Sequence, residues 1–275
     1  MKIRSDEERK YQTYEIGRIV GIKGTEPYFF NIILKPETLL ESGPLAQILD
    51  TFYKHRIPIL QIKSAPSTGG EPVRVIIAAD MKGKKQKLRP IISEIAEVDG
   101  VTSVEYEPPL FNGVAVDMWS YPPTFQGQRV LIMRRALTEE MLREGWRRIG
   151  PDFAAILYYA YFHGALNLYR EYFQQIHRKE DRINLVKELF RLLGYGIAEV
   201  LKVTETEARV RIHDSFECQA LKNAGEARGG IIRGMLAGWA AGYWNAEYGE
   251  ITVREVKCVA KGDPYCEYII RRAKT

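Results

Sequence analysis

The chain has 275 residues and a formal net charge of +5, with 45% hydrophobic and 27% charged residues. This is an ordinary globular composition, long enough for two domains with separate cores, and it excludes a largely disordered chain. The mildly basic balance permits binding to nucleic acid but does not require it.

Cysteine usage and the N-terminal residues indicate the compartment. The three cysteines are too few for a secreted disulfide framework. Residues 1–10 are charged throughout and lack the apolar core of a signal peptide, so we expect a disordered tail there. The most apolar long stretch, residues 153–169, contains His163 and Asn167 and is interpreted as a core helix, not a membrane span. We therefore expect a cytoplasmic protein with no membrane contact.

Residues 11–108 follow the order strand, helix, strand, strand, helix, strand, after a loosely alternating leading strand at 11–23. The strands are predicted at 28–35, 58–63, 73–79 and 101–106, and the helices at 45–53 and 88–98. This order predicts a ferredoxin-like βαββαβ domain and places the whole chain in the α+β class. The length and the closing segment VDGVTSVEYEP resemble an ACT-type regulatory domain. The resemblance implies effector binding and dimerisation.

Prolines bracket residues 109–124, which are predicted to link this domain to a second one at 125–275. There we expect a strand at 128–133, an aromatic helix from 152 to about 177 and a helix at 183–193. A hairpin at 197–213, a helix rich in small residues at 230–248 and a closing hairpin at 251–271 complete the domain.

The closing hairpin carries the strongest chemical signal. If its turn centres on Gly262, Cys258 and Cys266 face each other with Cβ atoms about 5 Å apart. Two such thiols suit a zinc ion or a reversible disulfide. Strict alternation puts Glu255 on the opposite face from Cys258, so a bulge or a strong twist is needed before both can bind one metal.

A family resemblance rests on this segment, VREVKCVAKGDPYCEYII, on the upstream DSFECQAL and on the helix with Gly234, Gly238 and Gly242. Over residues 125–275 the chain resembles the 4-vinyl reductase domain family. This implies a mixed α/β ligand-binding domain, found in aromatic-effector-responsive activators, in archaeal regulators and beside bacteriochlorophyll synthesis proteins. Effector-sensing members bind zinc through Glu-x2-Cys-x7-Cys, which implies metal roles for Glu255, Cys258 and Cys266.

The sequence does not determine which group would be the fourth metal ligand. Zinc-binding members of that family take it from a cysteine just before the glycine-rich helix, where this chain has residues 229–233 without a cysteine. Cys218, His213 or water could complete the site. The competing interpretation is three buried apolar cysteines and a surface glutamate.

The aromatic helix and the small-residue helix suggest an apolar pocket. Its predicted lining is Tyr158, Phe162, His163 and Trp239, with the last two as polar groups. The alternative is that the aromatics form ordinary core and that the glycines allow close helix packing.

A basic run precedes the second ferredoxin-like helix. Lys84, Lys85, Lys87 and Arg89 oppose the helix dipole there and suggest a polyanion contact, although a solvated basic face is the simpler explanation. No helix-turn-helix or RNA-binding signature accompanies them.

No nucleophile elbow, P-loop, dinucleotide fingerprint or metalloprotease motif occurs, so we expect a protein that is not an enzyme. The leading hypothesis is a small-molecule-sensing regulator with a Cys/Glu zinc site, acting as a homodimer through a protein partner. The alternatives are a nucleic-acid or ribonucleoprotein-binding factor that uses basic helix faces, a thiol redox switch, and an accessory protein in tetrapyrrole or aromatic metabolism.

Overall fold

The computed structural model describes residues 13–65, 70–125, 127–173, 176–222 and 229–273. The disordered tail predicted at residues 1–10 lies outside these ranges. The chain divides into two compact units, Met1–Leu131 and Ile132–Thr275. The domain limits drawn from the sequence stay predictions.

A four-stranded antiparallel sheet forms the first unit. Its strands are β2 (Pro27–Leu34), β3 (Ile59–Ala65), β4 (Val73–Asp80) and β5 (Val101–Glu107), in the order β3-β4-β2-β5. The helices α1 (Pro44–Lys54) and α2 (Leu88–Ala96) alternate with them along the chain. This confirms the predicted ferredoxin-like βαββαβ order, because the first and third strands of the motif are central.

The central strand β2 is buried on both faces. Phe30 and Ile32 point towards α1 and α2, where they pack with Phe52 and Ile91 in one apolar cluster. The opposite face of the sheet carries a smaller cluster: Val20, Phe29, Ile76, Ala78 and Ala115. Successive side chains of β2 therefore pack into two apolar clusters, one on each face of the sheet. This explains why the strand is apolar at almost every position.

The second cluster is covered by residues from the two ends of the unit. Strand β1 (Ile19–Gly21) pairs antiparallel with β6 (Val114–Val116) and brings Val20 and Ala115 onto the sheet. The leading strand expected at 11–23 is thus reduced to three residues within the described part. The segment expected to be a linker, 109–124, contains β6. Two further short strands, β7 (Thr124–Phe125) and β8 (Gln128–Arg129), pair with each other, so the strand expected at 128–133 ends four residues early.

Helices and one sheet make up the second unit. In chain order they are α3 (Arg135–Ile149), α4 (Pro151–Tyr172), α5 (Lys179–Leu192), β9 (Ile197–Val203), β10 (Glu207–His213), α6 (Phe216–Ala220), α7 (Ile231–Trp244), β11 (Ile251–Lys257) and β12 (Cys266–Arg272). The sheet is antiparallel with the order β11-β12-β10-β9. This confirms a mixed α/β arrangement and both predicted hairpins. Among the described residues, none of the helices combines the length and apolarity needed to cross a membrane.

Helices α4 and α7 pack with their backbones in close contact. A Cβ atom added at Gly238 would overlap the backbone oxygen of Phe162, and one at Gly234 would lie 2.5 Å from the backbone oxygen of Tyr158. The four-residue spacing of these glycines puts them on one face of α7, where only hydrogen atoms separate the two helices. The small-residue pattern here serves helix packing.

Candidate functional site

The closing hairpin places its two cysteines opposite each other. Lys257 pairs with Glu267, so the next residues inward, Cys258 and Cys266, flank the turn that contains Gly262. The register shifts between Glu255 and Lys257. This β-bulge is the irregularity that Glu255 needs to reach the face of Cys258, as the sequence required.

Cys218 approaches the hairpin from the short helix α6. Ser215 begins this helix, and its hydroxyl accepts a hydrogen bond from the backbone N–H of Cys218. The Cys218 Sγ atom lies 3.6 Å from the Sγ of Cys258 and 3.6 Å from Oε1 of Glu255. All three cysteines are buried and free.

One ligand atom each from Cys218, Glu255, Cys258 and Cys266 lies within 4.8 Å of the others. Three thiols and a carboxylate in a buried cluster fit a four-coordinate zinc ion, which prefers sulfur and nitrogen ligands with an occasional carboxylate. Among the alternatives for the fourth ligand, Cys218 is the residue in the cluster. His213 lies elsewhere, with Nε2 3.5 Å from Glu199 and its ring 5.5 Å from that of Tyr265.

Burial and hydrogen bonds shape the protonation of this cluster. Burial, followed by the charge of Cys258, raises the pKa of Glu255 to about 7, and the Tyr268 hydroxyl donates to its Oε1 at 3.0 Å. Hydrogen bonds from the Cys218 and Cys258 thiols lower the pKa of Cys266. Hydrogen bonding within the cluster raises the pKa of Cys218. The hydrogen bonds of the cluster thus favour the thiolate form of Cys266, and a divalent cation would favour the deprotonated form of every ligand.

Glu217, next to Cys218, fixes α6 against the start of α7. Its fully buried carboxylate accepts hydrogen bonds from the backbone N–H groups of Ile231 at 2.7 Å and Ile232 at 2.9 Å. The first N–H groups of a helix lack intrahelical partners, so this carboxylate caps α7. Burial nevertheless raises the pKa of Glu217 to about 7. Helix α6 therefore carries both a candidate metal ligand and the cap of α7.

Removing this cap is expected to destabilise the second unit. Glu217→Ala leaves buried N–H groups of α7 without acceptors, so we expect the free energy of unfolding to fall by about 2 kcal/mol or more. Urea denaturation followed by circular dichroism measures the change. The matched control is Glu199→Ala, which removes an exposed carboxylate paired with Arg211, for which we expect a loss of at most about 1 kcal/mol. Equal losses in the two variants would argue against the capping role.

The four residues of the predicted pocket do not line one space. Phe162 is fully buried in the α4–α7 contact, and the exposed His163 lies beside the Tyr248 ring at 6.1 Å. Tyr158 faces a cleft at the other end of α4. Trp239 lines a different, narrow cavity between α5, α7 and the sheet. The sequence pattern did not reveal the neighbours of each residue, which the tertiary structure determines.

The narrow cavity has a volume of about 80 Å³ and an almost wholly apolar lining. Its walls include Ile183, Val186, Val200, Val210, Leu236, Trp239, Trp244 and Ile270. The Nε1 atom of Trp239 is buried and has no hydrogen-bond partner among the described residues. The Nε1 of Trp244, in contrast, donates to the backbone oxygen of Thr204 at 2.9 Å. A buried donor without an acceptor costs about 1–3 kcal/mol, so an acceptor supplied by a ligand would be favourable.

The predicted polyanion residues are largely engaged within the first unit. Lys85 pairs with Glu26 at 2.6 Å, and the ammonium groups of Lys84 and Lys87 donate to the backbone oxygens of Arg56 and His55. Arg89 is exposed. A polyanion would compete with these intramolecular contacts, and binding by this run stays a prediction.

The fold and the site define the second unit as an α+β domain with a buried cysteine–carboxylate cluster. Residues 208–272, which run from β10 to the end of β12, match the family model described as V4R domain. This confirms the resemblance to the 4-vinyl reductase domain family. An uncharacterized protein of Methanocaldococcus jannaschii is 31% identical over 99 residues, which are 35% of this chain. The chain spans 56% of the length of that relative.

Two solved structures are partly similar. The phenol-responsive sensory domain of the transcription activator PoxR, with phenol, is 18% identical and has a TM-score of 0.47 over 53% of this chain and 77% of its own. A vinyl-4-reductase family protein from Methanocaldococcus jannaschii is also 18% identical, with a TM-score of 0.32 over 54% of this chain and 100% of its own. The ACT likeness of the first unit stays a prediction.

Proposed function

We propose that this protein is a non-catalytic regulator whose second unit binds a small apolar or aromatic molecule and holds zinc at Cys218, Glu255, Cys258 and Cys266. The V4R domain match supports this role. The observation that carries it is the apolar cavity beside the buried, unpartnered Nε1 of Trp239. Small-ligand sites typically combine an apolar lining with one or two placed polar groups.

The zinc site and the cavity share the strand β12. Cys266 belongs to the metal cluster, and Ile270, on the same face of the strand, lines the cavity. If zinc binds there, Cys218, Glu255, Cys258 and Cys266 would hold it, and the ion would restrain α6 against the closing hairpin. The chain's own residues then hold the cavity wall in place, because Cys266 and Ile270 are only four residues apart on one strand.

A one-ring ligand would require the cavity to widen. A cavity that accommodates benzene measures roughly 150 Å³, and this one measures about 80 Å³. Phenol is therefore a suitable probe because it combines one ring with one hydroxyl oxygen that can accept from Trp239. Benzene, which lacks that oxygen, is its matched comparison.

We expect the wild-type protein to bind phenol more tightly than benzene, and Trp239→Phe to lose most of that preference. A neutral hydrogen bond contributes about 0.5–1.5 kcal/mol, so the preference should fall by about two- to tenfold. Isothermal titration calorimetry with both probes measures it.

The control is Trp244→Phe, since Trp244 also lines the cavity but its Nε1 already has an acceptor. This variant should keep the preference for phenol. Absence of binding of both probes to wild-type protein would contradict the proposed effector site.

A non-catalytic regulator must pass ligand binding on to another molecule. We infer a cytoplasmic homodimer that passes its signal to a protein partner, as the sequence suggested. A thiol redox switch is the second candidate, favoured by the distance of 3.6 Å between the Sγ atoms of Cys218 and Cys258. Metal content under reducing conditions separates the two candidates.

A further inference from the structure

The second unit has another, larger cleft with a lining different from that of the narrow cavity. It has a volume of about 650 Å³, within the range of roughly 300–1,000 Å³ that is usual for small-molecule sites. Helix α4 and the start of β11 form its walls, and Trp146 of α3 contributes at one end. It shares no lining residue with the narrow cavity.

Aromatic rings form one wall of this cleft. The Tyr159 and Tyr248 rings stack with centroids 4.9 Å apart and an interplanar angle of 25°. Tyr158 meets Tyr248 edge-on at 6.3 Å. Ile251 and Val253 of β11 line the cleft as well. Flat aromatic and aliphatic surfaces of this kind suit a planar ligand that can stack or pack against ring faces.

Arg233 gives the cleft its charge. It is the one residue with a formal charge among those that line the cleft in the described part of the chain. Its guanidinium lies 5.9 Å from the centre of the Tyr158 ring, and its Nε donates to the backbone oxygen of Gly229 at 2.7 Å. The carboxylate of Glu217, which is also near, is fully buried and bound by the backbone of α7. The Nη groups of Arg233 therefore have no carboxylate partner among the described residues.

We propose that this cleft binds a planar aromatic molecule with a single anionic group, such as a carboxylate or sulfonate. The ring packs against Tyr158, Tyr159 and Tyr248, and the anionic group accepts hydrogen bonds from the Nη groups of Arg233. A positive guanidinium held against an aromatic face, with no acidic residue among the described residues of the lining, favours an anionic ligand over a neutral or cationic one. The site is separate from the proposed effector cavity and does not depend on it.

The test uses the full-length chain and two fluorescent probes that share the same rings. 1-Anilinonaphthalene-8-sulfonate carries a sulfonate, and N-phenyl-1-naphthylamine does not. We expect wild-type protein to bind the sulfonate more tightly. Arg233→Gln should weaken sulfonate binding about tenfold or more, because a hydrogen bond to a charged group contributes about 1.5–3 kcal/mol. Binding of the neutral probe should change less than about twofold.

Two controls separate this site from unspecific dye binding. Arg170→Gln removes an exposed arginine of α4 that does not line the cleft and should leave both titrations unchanged. Ala155→Trp fills the cleft from an exposed position of α4 and should remove binding of both probes. Ala160→Trp, at an exposed α4 position outside the cleft, should leave the binding of both probes unchanged.

Unchanged sulfonate binding in Arg233→Gln and Ala155→Trp would overturn the proposal, since the dye would then bind elsewhere. A dimer in sedimentation that Ala155→Trp converts to a monomer, without probe binding in the cleft, would also overturn it. In that case the cleft would be an interface between two copies of this chain.

Discussion

We expect the wild-type protein to bind about one zinc ion per chain and the Cys266→Ser variant to lose it. A serine hydroxyl is not deprotonated at neutral pH and binds zinc poorly, while Cys266 is the thiol whose pKa the cluster already lowers. Structural zinc sites contribute binding free energies of about 10–16 kcal/mol. We therefore expect less than about a tenth of the wild-type zinc content and a lower melting temperature. Elemental analysis and differential scanning calorimetry measure both.

The matched control is Tyr268→Phe, a buried, nearly isosteric change that keeps all four ligand candidates. It removes the hydrogen bond to Glu255 Oε1. Loss of such a supporting contact typically costs about 10–100-fold in metal affinity, so zinc should still bind but be released by a weaker chelator. Reduced wild-type protein without metal, together with a mass decrease of about two hydrogens after treatment with oxidised glutathione, would contradict the zinc proposal. That result would favour the redox switch.

Gly238→Ala is expected to destabilise the second unit severely. The added Cβ would overlap the backbone oxygen of Phe162, and neither backbone can give way without separating α4 from α7. Overpacking typically costs about 1–3 kcal/mol, and a clash between two helix backbones should lie at or above the upper end. Urea denaturation, followed by tryptophan fluorescence, measures the change in the free energy of unfolding.

Gly164→Ala is the control within the same pair of helices. Gly164 lies in α4, and nothing outside its own turn comes within 4 Å of an added Cβ. Alanine is the better helix former by about 0.5–1 kcal/mol, so this variant should be slightly more stable than wild type. Similar effects at the two glycines would show that helix propensity, and not close packing, governs Gly238.

The sequence predicts well those parts of the fold that depend on residues close together in the chain. These are the elements with a periodic apolar pattern and the hairpin whose turn lies midway between two cysteines. The ferredoxin-like order followed from strand patterns of six to eight residues that alternate with two helical patterns. The facing positions of Cys258 and Cys266 followed from Gly262 alone, and they agree with the pairing of Lys257 with Glu267. The requirement that Glu255 share their face left a bulge or a strong twist open, and the structure has a bulge.

The position of Cys218 could not be derived in the same way. Helix α6 has five residues, fewer than two turns, and so carries no periodic signal. Its place is set by tertiary contacts, above all the bonds from α7 to Glu217. The split of the predicted pocket has a similar cause. A helical aromatic pattern identifies candidate buried residues, but only the tertiary structure shows that Phe162 is fully buried, that Tyr158 lines the larger cleft and that Trp239 lines the narrow cavity.

The pairing of β1 with β6 has a consequence for the order in which the chain is made. Because synthesis proceeds from the N-terminus, the sheet of the first unit can assemble before residues 114–116 leave the ribosome. Until then Phe29, Ile76 and Ala78 have only half of their cover, and the nascent sheet presents an apolar face to its surroundings. A fragment that ends at residue 108 would lack Ala115 and the partner strand of β1, so part of that apolar face would stay uncovered. We therefore expect such a fragment to be less soluble than one that extends through β6, past the last strand of the ferredoxin-like motif.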